Sequence, residues 1–204
     1  IIFCGGLFAD RLAKKDGLNL TMKTVGFRGD YFKLKENSSY KVKNLIYPVP
    51  NPAFPFLGIH LTRMINGEIE CGPNAVFTFK REGYKKTDFN ISDTINALCF
   101  KGTMKLFINN WKFGLKEYQR AFSKSLFLKE LKKMIPTLKI DDIEPARSGV
   151  RAIALEKNGY ILDDFKIVNN KSNIHVLNAP SPAATACLAI GENIMNEARK
   201  CFNI

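Results

Sequence analysis

The groups able to do chemistry in this 204-residue sequence are two histidines, a few arginines in apolar or glycine-flanked settings, and two turns built from small residues. His60 lies in the string GIHLTR, at a strand position beside Thr62 and Arg63, where an imidazole can take a proton from a hydroxyl. The same placement also suits a structural histidine. Arg151 sits inside the apolar string SGVRAIA, and a guanidinium among apolar neighbours needs an anion. Asp163 and Asp164 are the nearby protein candidates, and a substrate carboxylate is the alternative. Arg28, flanked by Gly26 and Gly29 in GFRGDY, poses the same choice, with ordinary salt bridging as the default. His175, on the strand before the second turn, can simply donate to backbone.

The two turns follow apolar runs. Ile1 to Cys4 reads as a strand fragment ending in Gly5-Gly6, followed by a short helix, LFADRLAKK, that Gly17 stops. Without a Cβ, such a turn lets a ligand approach the backbone closely, although the same pair also makes a plain turn. The second unit is a strand over 174–177, the turn Asn178-Ala179-Pro180-Ser181-Pro182, and a helix opening at Ala183, Ala184, Thr185 and Ala186. Ser181 fits an N-cap and Pro182 the first helical position. A helix start of this kind exposes N–H groups and partial positive charge to a phosphate, a carboxylate or an electron-rich ring, and a close-packed helix is the plain alternative.

Between these ends lies the framework that must position them. From Leu20 to Val76 the pattern is of short strands in an antiparallel sheet, with Asn66-Gly67 as a hairpin signal. Pro48, Pro50, Pro52 and Pro55 make a rigid connection. Helices follow, one opening near Ser92 and one from about Leu115 to Ile135, ended by Pro136. The chain then returns to strands in GVRAIALE and DFKIVNN. The class expected is α+β, with a mixed, largely antiparallel sheet and a helical layer.

Composition narrows the function. With 46% hydrophobic and 25% charged residues the chain can bury a core, and no apolar run approaches the roughly 18 to 20 residues that span a bilayer as a helix. The formal charge is +12, yet residues 101–140 carry ten basic and two acidic residues, a net of +8, on an amphipathic pattern. With 23 of the 31 basic residues lysine, this reads as a solvated helical face, not a nucleic-acid surface. Five cysteines without a CxxC pair suggest a reducing compartment, with Cys4, Cys99 and Cys187 as small core residues. Two histidines 115 positions apart argue against a metal site.

Read together and in order, CGGLFADRLA, GFRGDYFKL, NLIYPVPNPAFPFLGIHLTR, NGEIECGPNAVFTFKREGY, SGVRAIA, LDDF and HVLNAPSPAATACLAIG resemble the L-2-hydroxyglutarate oxidase/dehydrogenase family of FAD-dependent oxidoreductases, within the glycine oxidase and D-amino-acid oxidase group. The resemblance implies an FAD-binding Rossmann-like domain interleaved with a substrate domain. The GxGxxG fingerprint of such domains does not occur here, so the chain looks like the C-terminal half of a longer protein. On this resemblance residues 1–17 are a piece of the FAD domain, 18–172 the substrate domain, and 173–204 the returning strand and helix. Gly5, Gly6, Ala179, Pro180, Ser181, Pro182, Ala183 and Ala184 match cofactor-facing positions. His60 matches the base and Arg151 its catalytic companion, with Arg28, Arg63 and Asn74 on the substrate side. The implied chemistry is transfer of the C2 hydride of an L-2-hydroxy acid to FAD, with oxygen or a quinone as electron acceptor. An amine or amino-acid oxidase of the same group is the alternative, and a basic non-catalytic binding module is another. The implied partners are the small-molecule acid and the N-terminal half of the same protein, not nucleic acid. The setting is cytoplasmic, with peripheral contact at the inner face of the membrane as a further option.

Overall fold

The computed structural model describes residues 1–49, 58–180 and 183–202. In chain order, the first elements are β1 (Ile2–Phe3), α1 (Ala9–Lys15), β2 (Met22–Gly29), β3 (Phe32–Leu34), β4 (His60–Arg63), β5 (Ile69–Gly72) and β6 (Val76–Phe77). Three helices follow, α2 (Ile91–Leu98), α3 (Lys101–Phe122) and α4 (Lys124–Leu131). The chain closes with β7 (Ile143–Pro145), β8 (Gly149–Glu156), β9 (Lys166–Asn170), β10 (Asn173–Asn178) and α5 (Cys187–Phe202). The helices and mixed, largely antiparallel sheets are the α+β class the sequence leads one to expect.

The chain divides into two compact units, one of residues 1–25, 95–106 and 152–204, the other of 26–94 and 107–151. In the first unit β1 pairs parallel with β10, and β9 flanks β10 antiparallel, giving the order β1-β10-β9. Helix α1 closes on this sheet by burying Ala9 and Ala13 with Met22, Ala154 and Leu177. Gly17, at φ +85°, ends α1 as its sequence suggests, because the N–H groups of Gly17 and Leu18 reach back to the carbonyls of Lys14 and Ala13.

The second unit is built on a four-stranded antiparallel sheet of order β4-β5-β3-β7. Its apolar face carries Phe32, Leu34, Leu61, Ile69, Cys71 and Ile143, packed with Phe127, Leu128 and Leu131 of α4. The Asn66-Gly67 turn joins β4 to β5, with Gly67 at φ +86°. A further sheet has the order β6-β2-β8, and the division between units falls after Val25 in β2 and after Arg151 in β8. Gly26 is required in β2, since a Cβ there would lie 2.6 Å from the Thr78 hydroxyl.

Three local expectations are corrected. The helix expected from about Leu115 to Ile135 is two helices: α3 already starts at Lys101, and Ser123 leaves helical geometry at φ −123°, ψ 105° to cap α4, its hydroxyl accepting from Leu126 N–H at 3.3 Å. A serine hydroxyl competes with the backbone ladder and so divides an otherwise continuous periodic run. The last helix opens at Cys187, and Ala183 to Ala186 form turns instead of its first helical residues. Cys4, Cys99 and Cys187 are exposed, while Cys71 is the buried cysteine, its thiol pushed up to about 12 first by burial and then by the Glu70 charge. Pro50, Pro52 and Pro55 of the proline connection lie outside the described residues.

Candidate functional site

The residues with cofactor-facing matches fall in the first unit. Because β1 and β10 run parallel, in the register Ile2↔Ile174 and Phe3↔His175, the loops that follow them leave the sheet at the same, carboxyl, end. That end of a parallel pair is where open α/β sheets receive ligands. On the β1 side a Cβ at Gly5 would run into Leu12 at 2.5 Å, so Gly5 lets α1 pack back on the turn. Gly6, at φ +49°, has open space where its Cβ would be and leaves its backbone approachable. On the β10 side, Asn178 Nδ2 donates to the carbonyls of Leu162 (3.0 Å) and Asp164 (2.8 Å), fixing the point from which Ala179 and Pro180 depart. Ala183 and Ala184 follow in the turns, while Ser181 and Pro182 lie outside the described residues. Bare backbone and small side chains at the carboxyl end of a parallel pair fit a flat, phosphate-linked ring system.

His175 does not donate to backbone as expected. It is 1% exposed, stacks on Phe3 with centroids 4.6 Å apart, and brings Nε2 to 2.7 Å from the Asp16 carboxylate. Asp16 also accepts from Asn170 and Asn173, and these bonds, His175 first, hold its carboxyl below the usual range. With Nε2 donating, Nδ1 is left buried and without a partner among the described residues. Asp16 escaped the sequence reading, since nothing local marks an Asp-Gly pair at a helix end as the partner of a histidine 159 positions later.

The substrate-side residues fall in the second unit and form two groups. Arg28 is 5% exposed, and its Nε and Nη2 donate to Asp30 at 2.7 and 3.4 Å, while Nη1 donates to the Lys85 carbonyl at 3.0 Å. Asn74 joins the same carboxylate, accepting from Asp30 N–H at 2.7 Å and donating to Oδ2 at 3.3 Å. Glu117 braces the next residue by accepting from Ala75 N–H at 2.9 Å, and burial pushes its carboxyl up against the opposing charge of Arg120. Asp30 was missed, although Arg28 and Asp30 at i, i+2 fall on one face of an extended chain.

The other group is His60 with Arg151. His60 is half-buried on β4, and its Nδ1 lies 3.0 Å from the Gly58 carbonyl. A carbonyl can only accept, so Nδ1 carries the proton and Nε2 of the neutral ring has a free lone pair. Burial holds the His60 pKa below 6.5; the Gly58 bond opposes this, and the Arg151 charge adds to it. Arg151 is half-buried on β8, and no carboxylate or other hydrogen-bond acceptor among the described residues takes its guanidinium. Asp163 and Asp164, the expected partners, instead accept from the Tyr160 hydroxyl (2.9 Å) and Phe165 N–H (2.7 Å). Arg63, exposed at the end of β4, donates to the Val42 carbonyl at 3.0 Å, and its spacing of three from His60 sends it to the other strand face. Among the described residues no three His, Cys, Asp or Glu side chains group as metal ligands would.

A parallel strand pair with bare loops at its carboxyl end, in one unit, is a feature of nucleotide-cofactor enzymes. Residues 1–196 match the family described as FAD dependent oxidoreductase, and the chain belongs to that family. It is similar to L-2-hydroxyglutarate dehydrogenase of Indibacter alkaliphilus, 48% identical over 203 residues, covering 99% of this chain and 51% of the relative. The enzyme of the same name from Escherichia coli (strain K12) is 46% identical over 197 residues, covering 97% of this chain and 47% of the relative. The mitochondrial L-2-hydroxyglutarate dehydrogenase of Bos taurus is 41% identical over 209 residues, 100% of this chain and 45% of the relative. The chain spans about half the length of the curated relatives it matches.

Proposed function

We propose that the protein containing this chain oxidises L-2-hydroxyglutarate, an L-2-hydroxy acid, to the 2-oxo acid with FAD. The observation that carries the reading is the half-buried Arg151 guanidinium, with no anion among the described residues, whose charge acts on a histidine with Nδ1 protonated and Nε2 unengaged by any described residue. When bound, FAD supplies the two-electron acceptor for the hydride leaving C2. The residues of this chain do the remainder. His60 Nε2 takes the hydroxyl proton as the C2–O bond becomes a carbonyl, and Arg151 holds a carboxylate of the acid through its planar fork. Arg28, with two of its five N–H groups uncommitted after three bonds to protein, and Asn74 beside it serve the substrate side, as does Arg63.

Gly5, Gly6, Ala179, Ser181, Ala183 and Ala184 would hold the flavin with backbone N–H groups, and Pro180 and Pro182, which have none, would shape the turn around it. Residues 1–17 and 173–204 are assigned to the flavin domain and 18–172 to the substrate domain. The parallel pairing of β1 with β10 supports joining the two ends of the chain in one domain.

Electrons leave to oxygen or to a quinone. A cytoplasmic enzyme docked at the inner face of the membrane would reach a quinone, and α3 suits that contact. After a break in helical geometry at Asn110 (φ −124°, ψ 21°), Trp111, Leu115 and Phe122 form one exposed stripe at helical spacing, flanked by exposed Lys112 and Lys116. No described helix is long and apolar enough to cross a membrane.

The deciding experiment is anaerobic mixing of the full-length flavoprotein with candidate donors. Bleaching of the flavin band by L-2-hydroxyglutarate, and not by its D isomer, glycine or sarcosine, is the expected outcome. Purification without flavin, or reduction by glycine or sarcosine instead, would overturn the reading.

A further inference from the structure

We propose that Tyr47 is a positioning residue for His60: its ring stacked on the imidazole, together with the Gly58 carbonyl, holds the Nδ1–H tautomer and presents Nε2 as a bare proton acceptor. This rests on the reading of His60 as the base. The rings lie with centroids 4.3 Å apart and planes 16° from parallel, and Gly58 O is 3.0 Å from Nδ1. Each contact removes one freedom of the side chain. The stack opposes rotation about χ2, which would turn the imidazole out of the plane parallel to the phenol, and of the two ring orientations that keep that plane the carbonyl selects the one that aims Nδ1–H at Gly58. An imidazole on a half-buried strand would otherwise exchange tautomers and flip; in the Nε2–H tautomer Nε2 carries the proton and accepts nothing, and in the flipped ring Nδ1–H no longer reaches Gly58 and Nε2 points elsewhere.

The surroundings are consistent with this assignment. Opposite His60 on β5 stands Gly72, which brings no competing side chain. From β8 comes Arg151, whose charge favours the neutral ring, and among the described residues before β4 the Tyr47 phenol is the aromatic side chain against it. Tyr47 is about half exposed, so its ring is spent on the imidazole and not on core packing. Its hydroxyl has no partner among the described residues, which makes the stacking face the functional part of the residue.

The test uses the full-length holoenzyme with Tyr47→Phe, Tyr47→Ala and His60→Gln, read two ways. In long-range 15N–1H spectra, the imidazole that disappears in His60→Gln is expected as the Nδ1–H tautomer in the wild type and in Tyr47→Phe, and as a tautomer average in Tyr47→Ala. In anaerobic single turnover across about pH 5 to 9, Tyr47→Phe is expected within about twofold of wild type. Tyr47→Ala should lose about tenfold in the limiting rate of flavin reduction, with substrate affinity changed by less than about threefold. A wild-type Nε2–H tautomer, or a Tyr47→Ala protein with unchanged tautomer and rate, overturns the proposal. If His60→Gln reduces its flavin at the wild-type rate, the base reading fails by itself, and the spectra still decide whether Tyr47 sets the ring.

Discussion

Arg151 is the side chain on which the substrate assignment turns, because a half-buried guanidinium with no anion among the described residues is a place where a ligand carboxylate gains most. Arg151→Ala in the full-length enzyme is expected to lower kcat/KM for L-2-hydroxyglutarate by about 30-fold, corresponding to about 2 kcal/mol of charged hydrogen bonding, mostly through KM. Arg151→Lys keeps the charge without the fork and should recover only part of the loss. The same substitution to alanine has a pH signature. The His60 pKa is held below 6.5, so the base is neutral down to that lower value and activity falls only as pH drops through it. Removing the Arg151 charge takes away one of the lowering influences, so the acid limb of kcat/KM should move upward; an unmoved limb together with an unchanged KM would remove Arg151 from the site. Such residues were legible because arginine in an apolar string demands an anion. What the sequence could not supply was which arginine would find one within the protein: Arg28 is satisfied by Asp30, two positions on along the same strand face, and Arg151 is not.

At the level of elements, the scaffold under His60 is the β4-β5-β3-β7 sheet and the helix that covers it, so perturbing α4 should disturb the substrate side while leaving the β1-β10 pair intact. Phe127 is fully buried and packs on Phe32 with centroids 4.6 Å apart; Phe127→Ala should cost about 4 kcal/mol. Ser123→Ala, which removes only the cap of α4, should cost about 1 kcal/mol, and Ser123→Asp should be close to neutral because it restores the acceptor. Thermal melting of the three variants ranks them, and equal losses for Phe127→Ala and Ser123→Ala would contradict this account of α4. The hairpin at Asn66-Gly67 and the stop at Gly17 were readable because glycine reports a backbone angle directly. The division of the helical run at Ser123 was not, since a mid-helix serine and a capping serine look alike until the backbone chooses. Gly114 likewise sits inside α3 without ending it, at a cost of about 1 kcal/mol that its neighbours offset.

Across the whole molecule, the contacts that matter most are those the sequence hides best, and Asp16 with His175 is the clearest, a pair 159 positions apart that fastens α1 to β10. The Asp16 carboxyl is held low, so its contribution is present above the ordinary aspartate range and is lost as pH falls through the depressed value; Asp16→Ala should therefore melt lower than wild type at neutral pH, with the difference narrowing in acid. The excess of positive charge, by contrast, was visible at once, and the fold changes its meaning. Five of the ten basic residues between 101 and 140 lie on α3, beside an apolar stripe in which Trp111 is 60% and Phe122 67% exposed, a combination that suits an anionic lipid surface better than water or phosphate alone. The full-length protein should sediment with vesicles containing phosphatidylglycerol and much less with neutral phosphatidylcholine vesicles. Raising salt should weaken the binding, because lysines act across a Debye length of about 10 Å at 0.1 M, without abolishing it, because the apolar stripe is insensitive to screening. Trp111→Glu with Leu115→Glu should release the protein from vesicles while leaving flavin reduction by L-2-hydroxyglutarate within about twofold of wild type, since neither residue belongs to the His60–Arg151 group. Binding that ignores both lipid charge and salt, or that survives the double substitution, would rule out α3 as the docking face.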